Sequence, residues 1–211
     1  MTIGELKEKG GRRFARFVTD TVVPRPQLWR FARPLIRRQF DALAPTWDRR
    51  RSPESYASLE AALGAIAAAP RRVLDLGTGT GGGARRVARR FPDAEVIGAD
   101  LSEQMVAEAR ALTDPELRIR YEVADASRLP YETESFDLVT LLNMIPFFDE
   151  LDRVLAANGH AIFAFSAGAE TPIYVPTDRL RRELAARGFA DFAEFAAGPG
   201  TALLARKRPQ A

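Results

Sequence analysis

Four polar residues, each in or just after an apolar run, and one cluster of glycines are the parts of this sequence that could do chemistry. Asp75 sits in Arg72-Val73-Leu74-Asp75-Leu76, which opens at once into Gly77-Thr78-Gly79-Thr80-Gly81-Gly82-Gly83. Asp100 closes Glu95-Val96-Ile97-Gly98-Ala99, Asp125 follows the run Arg118 to Val123, and Asn143 follows the run that begins at Ser135. Glycine permits a left-handed turn and lets a ligand lie against bare backbone. The N–H groups of the helix starting behind such a turn face that ligand. A carboxylate at the end of the second run can accept protons from both hydroxyls of a ribose. Together these residues describe a pocket for a nucleotide-like cofactor. The glycines alone do not say which one, because Gly77-x-Gly79-x-x-Gly82 also satisfies the dinucleotide fingerprint.

The elements that must position these groups follow from periodicity. Strands are predicted over 72–76, 95–99, 118–123, 136–141, 160–166, 188–195 and 201–207. Helices are predicted over 82–91, 102–112, 148–157 and 177–187, with Asn158-Gly159 ending the third of them. Alternation of this kind implies a parallel sheet with right-handed crossovers, closed by an antiparallel pair through Gly188-Phe189 and Pro199-Gly200. Ligands of such sheets bind outside the carboxyl ends of the strands, so Asp75, Asp100, Asp125 and Asn143 are expected to share one crevice. Ahead of the sheet, Pro53 opens a helix to about Ala69. The first 11 residues read as a frayed segment, and an apolar stripe from Phe14 to Val23 ends at Pro24-Arg25-Pro26. Pro34 is tolerated only near a helix start or at a kink.

The motifs VLDLGTGTG, IGADLSEQMVAEAR, VADASRLPY and SFDLVTLLNMIPF stand in an order and spacing that resemble the class I S-adenosylmethionine-dependent methyltransferases, in particular the quinone and natural-product branch. The resemblance spans roughly residues 41 to 207. It implies a Rossmann-like α/β fold, a seven-stranded mostly parallel sheet with helices on both faces and an N-terminal helical extension. It implies S-adenosyl-L-methionine as cofactor, with Asp75, Gly77, Thr78, Gly79 and Gly81 under its methionine part and ribose. Asp100 would hold the ribose hydroxyls, Leu101 and Met105 would pack on the adenine, and Asp125 with Ala126 would meet its amino edge. Asn143 would lie between cofactor and acceptor. Each position has a structural alternative: Asp100 as a helix cap, Met105 as core, Asp125 as a turn residue, Asp75 as the anchor of the glycine loop.

The expected activity is methyl transfer to a small, partly apolar acceptor. The alternatives are a cofactor-binding protein without catalysis, docking a partner or a membrane, and a nicotinamide-dependent oxidoreductase. No catalytic base is assigned. His160 falls at the start of the fifth strand, at the sheet edge away from the crevice, and Asn143-Met144-Ile145-Pro146 replaces the histidine that quinone-methylating relatives often carry. Trp47, Tyr56, Asn143, Phe147 and Tyr174 are the expected walls of the acceptor site, with Asp48 and Tyr131 nearby.

Composition narrows the rest. At 211 residues, with 46% hydrophobic and 28% charged residues, the chain suits one globular core, and the lack of cysteine excludes disulfides and thiolate metal sites. No metal is expected. A cytoplasmic location is expected, since the N-terminus lacks a signal-peptide core and no apolar run is long enough to span a bilayer. Residues 1–40 carry ten basic groups against three acidic ones, a local charge of +7 that leaves −4 for the remainder of a chain with net charge +3. The core is therefore no nucleic-acid platform. The expected division is a basic helical arm and lid over 1–56 and a methyltransferase core over 57–211. The arm reads first as a solvated, arginine-rich helical face, with a surface for anionic lipid or an acidic partner and then for nucleic acid as the alternatives, and its aromatics would suit a homodimer.

Overall fold

The computed structural model describes residues 3–48 and 51–209. Seven strands form one sheet in the order β3-β2-β1-β4-β5-β7-β6. They are β1 (Arg72–Leu76), β2 (Glu95–Asp100), β3 (Ile119–Val123), β4 (Phe136–Leu142), β5 (Leu155–Phe165), β6 (Phe189–Ala197) and β7 (Gly200–Lys207). All neighbours pair in parallel except β7, which runs antiparallel to both β5 and β6. Strand order reverses between β1 and β4, which opens a crevice above the ends of β1, β2 and β4.

Both faces of the sheet are covered, which is why its central strands read as unbroken apolar runs rather than alternating ones. Val73, Val96, Leu138 and Ile162 point to a face packed by α3 (Ala57–Gly64), α4 (Gly82–Arg90) and α5 (Glu103–Leu112). Leu74, Ile97, Val139 and Phe163 point to the other face, covered by α6 (Phe148–Val154) and α7 (Thr177–Ala185). The same apolar cluster takes in Val18 and Val22 of α1 (Ile3–Val22) and Trp29 and Ile36 of α2 (Trp29–Leu43). The arm thus packs its apolar side against that cluster.

The elements depart from the sequence reading in three places. The segment expected to fray is helical from Ile3. The helix expected from Pro53 to Ala69 is a short 3-10 turn followed by α3, which ends at Gly64 so that Ile66 can fold back into the core. Helix α6 stops at Val154, because Leu155 is drawn into β5 opposite Phe136. Asn158 and Gly159 therefore lie inside a strand, where a Cβ on Gly159 would come within 3.0 Å of the Asp137 carbonyl oxygen. Pro34 falls within α2 on its solvent side, where water can satisfy the carbonyl that loses its partner.

Candidate functional site

The floor of the crevice is the turn between β1 and α4. Gly77, Gly79 and Gly81 all take left-handed φ angles, +71°, +54° and +83°. At Gly77 the need is double, since a Cβ would also lie 2.6 Å from Met144 Sδ. The turn is held from below by Asp75, whose side chain is buried. One carboxylate oxygen accepts from the Thr140 hydroxyl at 2.6 Å and the other from the Thr78 hydroxyl at 2.7 Å. Burial pushes the Asp75 carboxyl above its ordinary range, against the pull of these two hydroxyls and the Ala84 amide. It thus ties the turn to β4 and to the start of α4.

Asp100 stands at the end of β2 with one oxygen on the Gly79 amide at 2.8 Å and the other on the Ser102 amide at 2.9 Å. Ser102 itself caps α5, its hydroxyl accepting from the Met105 amide, so Asp100 is not the cap. It spans the glycine turn and the start of α5, with lone pairs left for a ligand. Its pKa is pushed up to about 6, first by burial and then by the neighbouring Asp75 charge, with the three amides around it acting in the opposite direction.

The walls come from three directions. Leu101, Met105, Ala124 and Ala126 line the crevice beyond Asp100, and Leu142, Asn143, Met144 and Ile145 line it above β4. Asn143 adopts a left-handed φ of +54°, which asparagine tolerates better than most residues. Its amide group donates to Ser166 Oγ at 2.8 Å and accepts from the Ser166 amide at 2.9 Å, tying β4 to β5. The arm supplies the roof: Trp29, Ile36, Phe40, Trp47, Arg51 and Tyr56. Trp47 lies against Gly79, where its Nε1 would be 3.3 Å from an added Cβ. Asp48 accepts from the Thr80 hydroxyl and pairs with Arg85 at 3.4 Å.

Of the residues singled out in the sequence, Asp75, Gly77, Thr78, Gly79, Asp100, Leu101, Met105, Ala126, Asn143, Trp47 and Tyr56 line this one crevice. Gly81 is displaced to the start of α4, beside the Tyr121 hydroxyl. Three others lie elsewhere. Asp125 is turned toward the arm, accepting from Trp29 Nε1 and from Arg33, both at 2.9 Å, besides the Ser127 amide and hydroxyl. Burial works to raise its pKa, but these donors outweigh it and hold the carboxyl below its usual range. Phe147 is buried behind the roof, edge-on to Trp29 with ring centroids 5.3 Å apart. Tyr174 packs on Phe165 at 4.9 Å, and its carbonyl accepts from Arg16. His160 faces Leu138 near the start of β4, at the opposite end of the sheet.

Four contributors escaped the sequence reading. Trp29 and Arg33 read as arm residues, and nothing in their spacing marks Asp125 as their partner. Met144 was hidden in an apolar stretch. Arg51, the last of Arg49-Arg50-Arg51, was not singled out, yet its guanidinium lies 4.9 Å from the Trp47 ring centroid and 5.7 Å from that of Tyr56. Among the described residues no group of three or more acidic, histidine or cysteine side chains could hold a metal ion.

With the roof down, the crevice encloses about 90 Å³, room for a few waters but not for a nucleoside joined to an amino acid. The floor nevertheless fits such a group: bare backbone, an acceptor carboxylate and an apolar slot follow one another from β1 to β3. Admission requires Trp47, Met144 or the arm as a whole to move.

Comparison with known proteins agrees with this geometry. Residues 73–160 match the family described as a methyltransferase domain. Over 81 residues the chain is 48% identical to a demethylmenaquinone methyltransferase of Deinococcus radiodurans, a match covering 38% of this chain and 34% of that one. Over 148 residues it is 36% identical to a malonyl-[acyl-carrier protein] O-methyltransferase of Halorhodospira halophila, covering 66% of this chain and 50% of that one. The chain thus spans half or less of the length of these two curated relatives. A solved S-adenosylmethionine-dependent methyltransferase from Aquifex aeolicus superposes with a TM-score of 0.64 at 16% identity, covering 75% of this chain and 95% of that one. That likeness establishes the fold.

Proposed function

We propose that this chain, which carries a class I S-adenosylmethionine-dependent methyltransferase domain, transfers a methyl group to a small, partly apolar acceptor. The cofactor, S-adenosyl-L-methionine, supplies a methyl group on a sulfonium that is already electrophilic. The chain's own task is then to hold two partners in line and keep water out, and positioning of this kind is worth about 7–11 kcal/mol. The observation that carries the reading is the convergence of the glycine turn, Asp100 and the β4 end on one crevice roofed by aromatic rings.

In this reading Gly77, Thr78 and Gly79 present backbone to the cofactor, and Asp75 keeps that backbone in place. Asp100 takes the ribose hydroxyls, while Leu101, Met105 and Ala126 sandwich the adenine. The Arg51 guanidinium draws a carboxylate into the crevice. Trp47 and Tyr56 enclose the acceptor beside Asn143, and Phe147 and Tyr174 support that wall from behind. The arm, residues 1–56, acts as the lid on a core of 57–211.

The crevice offers no free base. Among its described lining residues the titratable groups are Asp75, Asp100, Arg51 and Tyr56. The first is buried beneath the turn and held by the Thr78 and Thr140 hydroxyls, and the second is assigned to the ribose. The third is a permanent cation, and the fourth lies against the backbone of Gly82. An acceptor that needs no deprotonation is therefore favoured, an ionised carboxylate or an acidic enol. Of the relatives named above, the malonyl-[acyl-carrier protein] O-methyltransferase has by its name a carboxylate acceptor of that kind, whereas the demethylmenaquinone methyltransferase does not. Among the described residues no helix is long and apolar enough to cross a membrane, and we place the chain in the cytoplasm.

Calorimetry with the cofactor, followed by incubation with isotopically labelled cofactor and a panel of acceptors, tests the reading. Transfer to carboxylates or acidic enols at neutral pH is expected. Transfer confined to neutral phenols, or tight nicotinamide binding instead, would overturn it.

A further inference from the structure

The arginines of the arm fall into two sets that do different work. Arg12 and Arg16 donate to the carbonyls of Glu170, Ala169, Thr171 and Tyr174, while Arg33 and Arg37 pair with Asp125, Asp41 and Glu103. These four fasten α1 and α2 to the core. Arg13, Arg25, Arg30 and Arg38 are exposed and make no ion pair among the described residues. Exposed on the same two helices are Phe17, Phe31 and Leu35, at 66%, 64% and 57% exposure. Phe31, Leu35 and Arg38 follow one another at helical spacing, and Arg30 lies over the Phe31 ring at 4.6 Å. Large apolar side chains left in water beside unpaired cations call for a partner that is anionic at its surface and apolar just beneath.

We propose that this exposed surface of α1 and α2 docks on a bilayer bearing anionic headgroups. The four free arginines meet the headgroups and Phe17, Phe31 and Leu35 enter the acyl boundary. A nucleic acid would use the charges but leave the aliphatic and phenyl groups unexplained. The second open cleft of the molecule, about 510 Å³ between the arm and α6 and α7, shares Arg30 with this face and Trp29 with the crevice. A docked arm therefore brings the cleft beside the lipid, which suits the partly apolar acceptor proposed above. The surface argument itself does not depend on the methyl-transfer reading.

The test is sedimentation of the whole chain with vesicles of phosphatidylcholine, with and without phosphatidylglycerol, over a salt series. Binding only to the anionic vesicles, weakened by salt, is expected. A Phe17→Ser, Phe31→Ser, Leu35→Ser variant and an Arg13→Gln, Arg25→Gln, Arg30→Gln, Arg38→Gln variant should each lose about tenfold or more. Their thermal midpoints and their calorimetric affinity for S-adenosylmethionine should stay unchanged, since all seven side chains are exposed. That readout also separates the outcomes: a chain that binds vesicles but not the cofactor overturns the function and leaves the docking face intact. No partition at low salt, partition of both variants equal to that of the unaltered chain, or a solution dimer that the serine variant dissolves would overturn the docking face. So would binding to duplex DNA that is stronger than to vesicles and indifferent to the apolar substitutions.

Discussion

The floor and the roof of the crevice are built on opposite principles. The floor is held by short hydrogen bonds within the sheet and its first turn: Asp75 to Thr78 and Thr140, Asp100 to the Gly79 and Ser102 amides. The roof is held by contacts that bridge segments far apart in sequence, Trp29 and Arg33 to Asp125 and Arg16 to the loop after β5. Side chains hydrogen-bonded on both oxygens to neighbouring backbone and hydroxyls give a rigid platform. Half-exposed cations on carbonyls and carboxylates give contacts that can release one by one. In the proposed reading one molecule thereby combines a fixed cofactor bed with a cover that lifts. The comparison fails if the floor proves as mobile as the roof.

Trp29→Ala should show the largest effect. It removes a buried indole, its edge-on packing against Phe147 and a donor to Asp125. Truncations of this size cost about 3–5 kcal/mol, and the loss should fall on the arm. Limited proteolysis should cut within residues 3–48 while a core fragment persists, and cofactor should associate faster through the opened roof. Equal loss of protection across arm and sheet, followed by hydrogen exchange, would mean that floor and roof form one cooperative unit.

Asp100→Ala addresses the floor. A hydrogen bond to a charged group contributes about 1.5–3 kcal/mol, so calorimetry should record a ten- to hundredfold weaker cofactor affinity with the fold retained. The carboxyl's raised pKa of about 6 gives the same prediction a pH axis. Ionised Asp100 is disfavoured in the empty fold, a cost that is absent below its ordinary pKa of about 3.8 and complete above about 6. The ribose needs that ionised form. Affinity should therefore hold above pH 6 and fall by up to about tenfold per unit below it. A flat affinity between pH 5 and 7 would detach Asp100 from the ligand.

The same contrast explains what the sequence disclosed. Strand, turn and helix around Asp75 to Phe91 are local, with turn glycines and apolar runs whose period is set by neighbours in the chain, and they stand within a residue of where the pattern placed them. Asp125 sits at the β3 end as read, yet its partners come from more than ninety residues upstream, a pairing that no local period records. Arg51 was illegible for a different reason: its aromatic neighbours, Trp47 and Tyr56, are near it in sequence, but a third arginine in a row carries no apolar period or turn signal that marks the pairing. Leu155 entered β5 because a strand across the sheet competed with the helix it prolonged.

Arg33→Gln should give the smallest effect, and its smallness carries the argument. The Arg33 side chain is half exposed and its ion pair with Asp125 is open to solvent, so its loss should cost no more than about 1 kcal/mol. Trp29 and Ser127 still satisfy Asp125 after the substitution, leaving no unpaired buried charge. The thermal midpoint should scarcely move. Lid opening, read from Trp29 and Trp47 fluorescence, should become several-fold easier, because a contact of that size alters an opening equilibrium by about fivefold while scarcely altering global unfolding. If Arg33→Gln destabilised the whole chain as much as Trp29→Ala, the roof would be an integral layer of the core, and the cofactor would need a route other than the lifting of the arm.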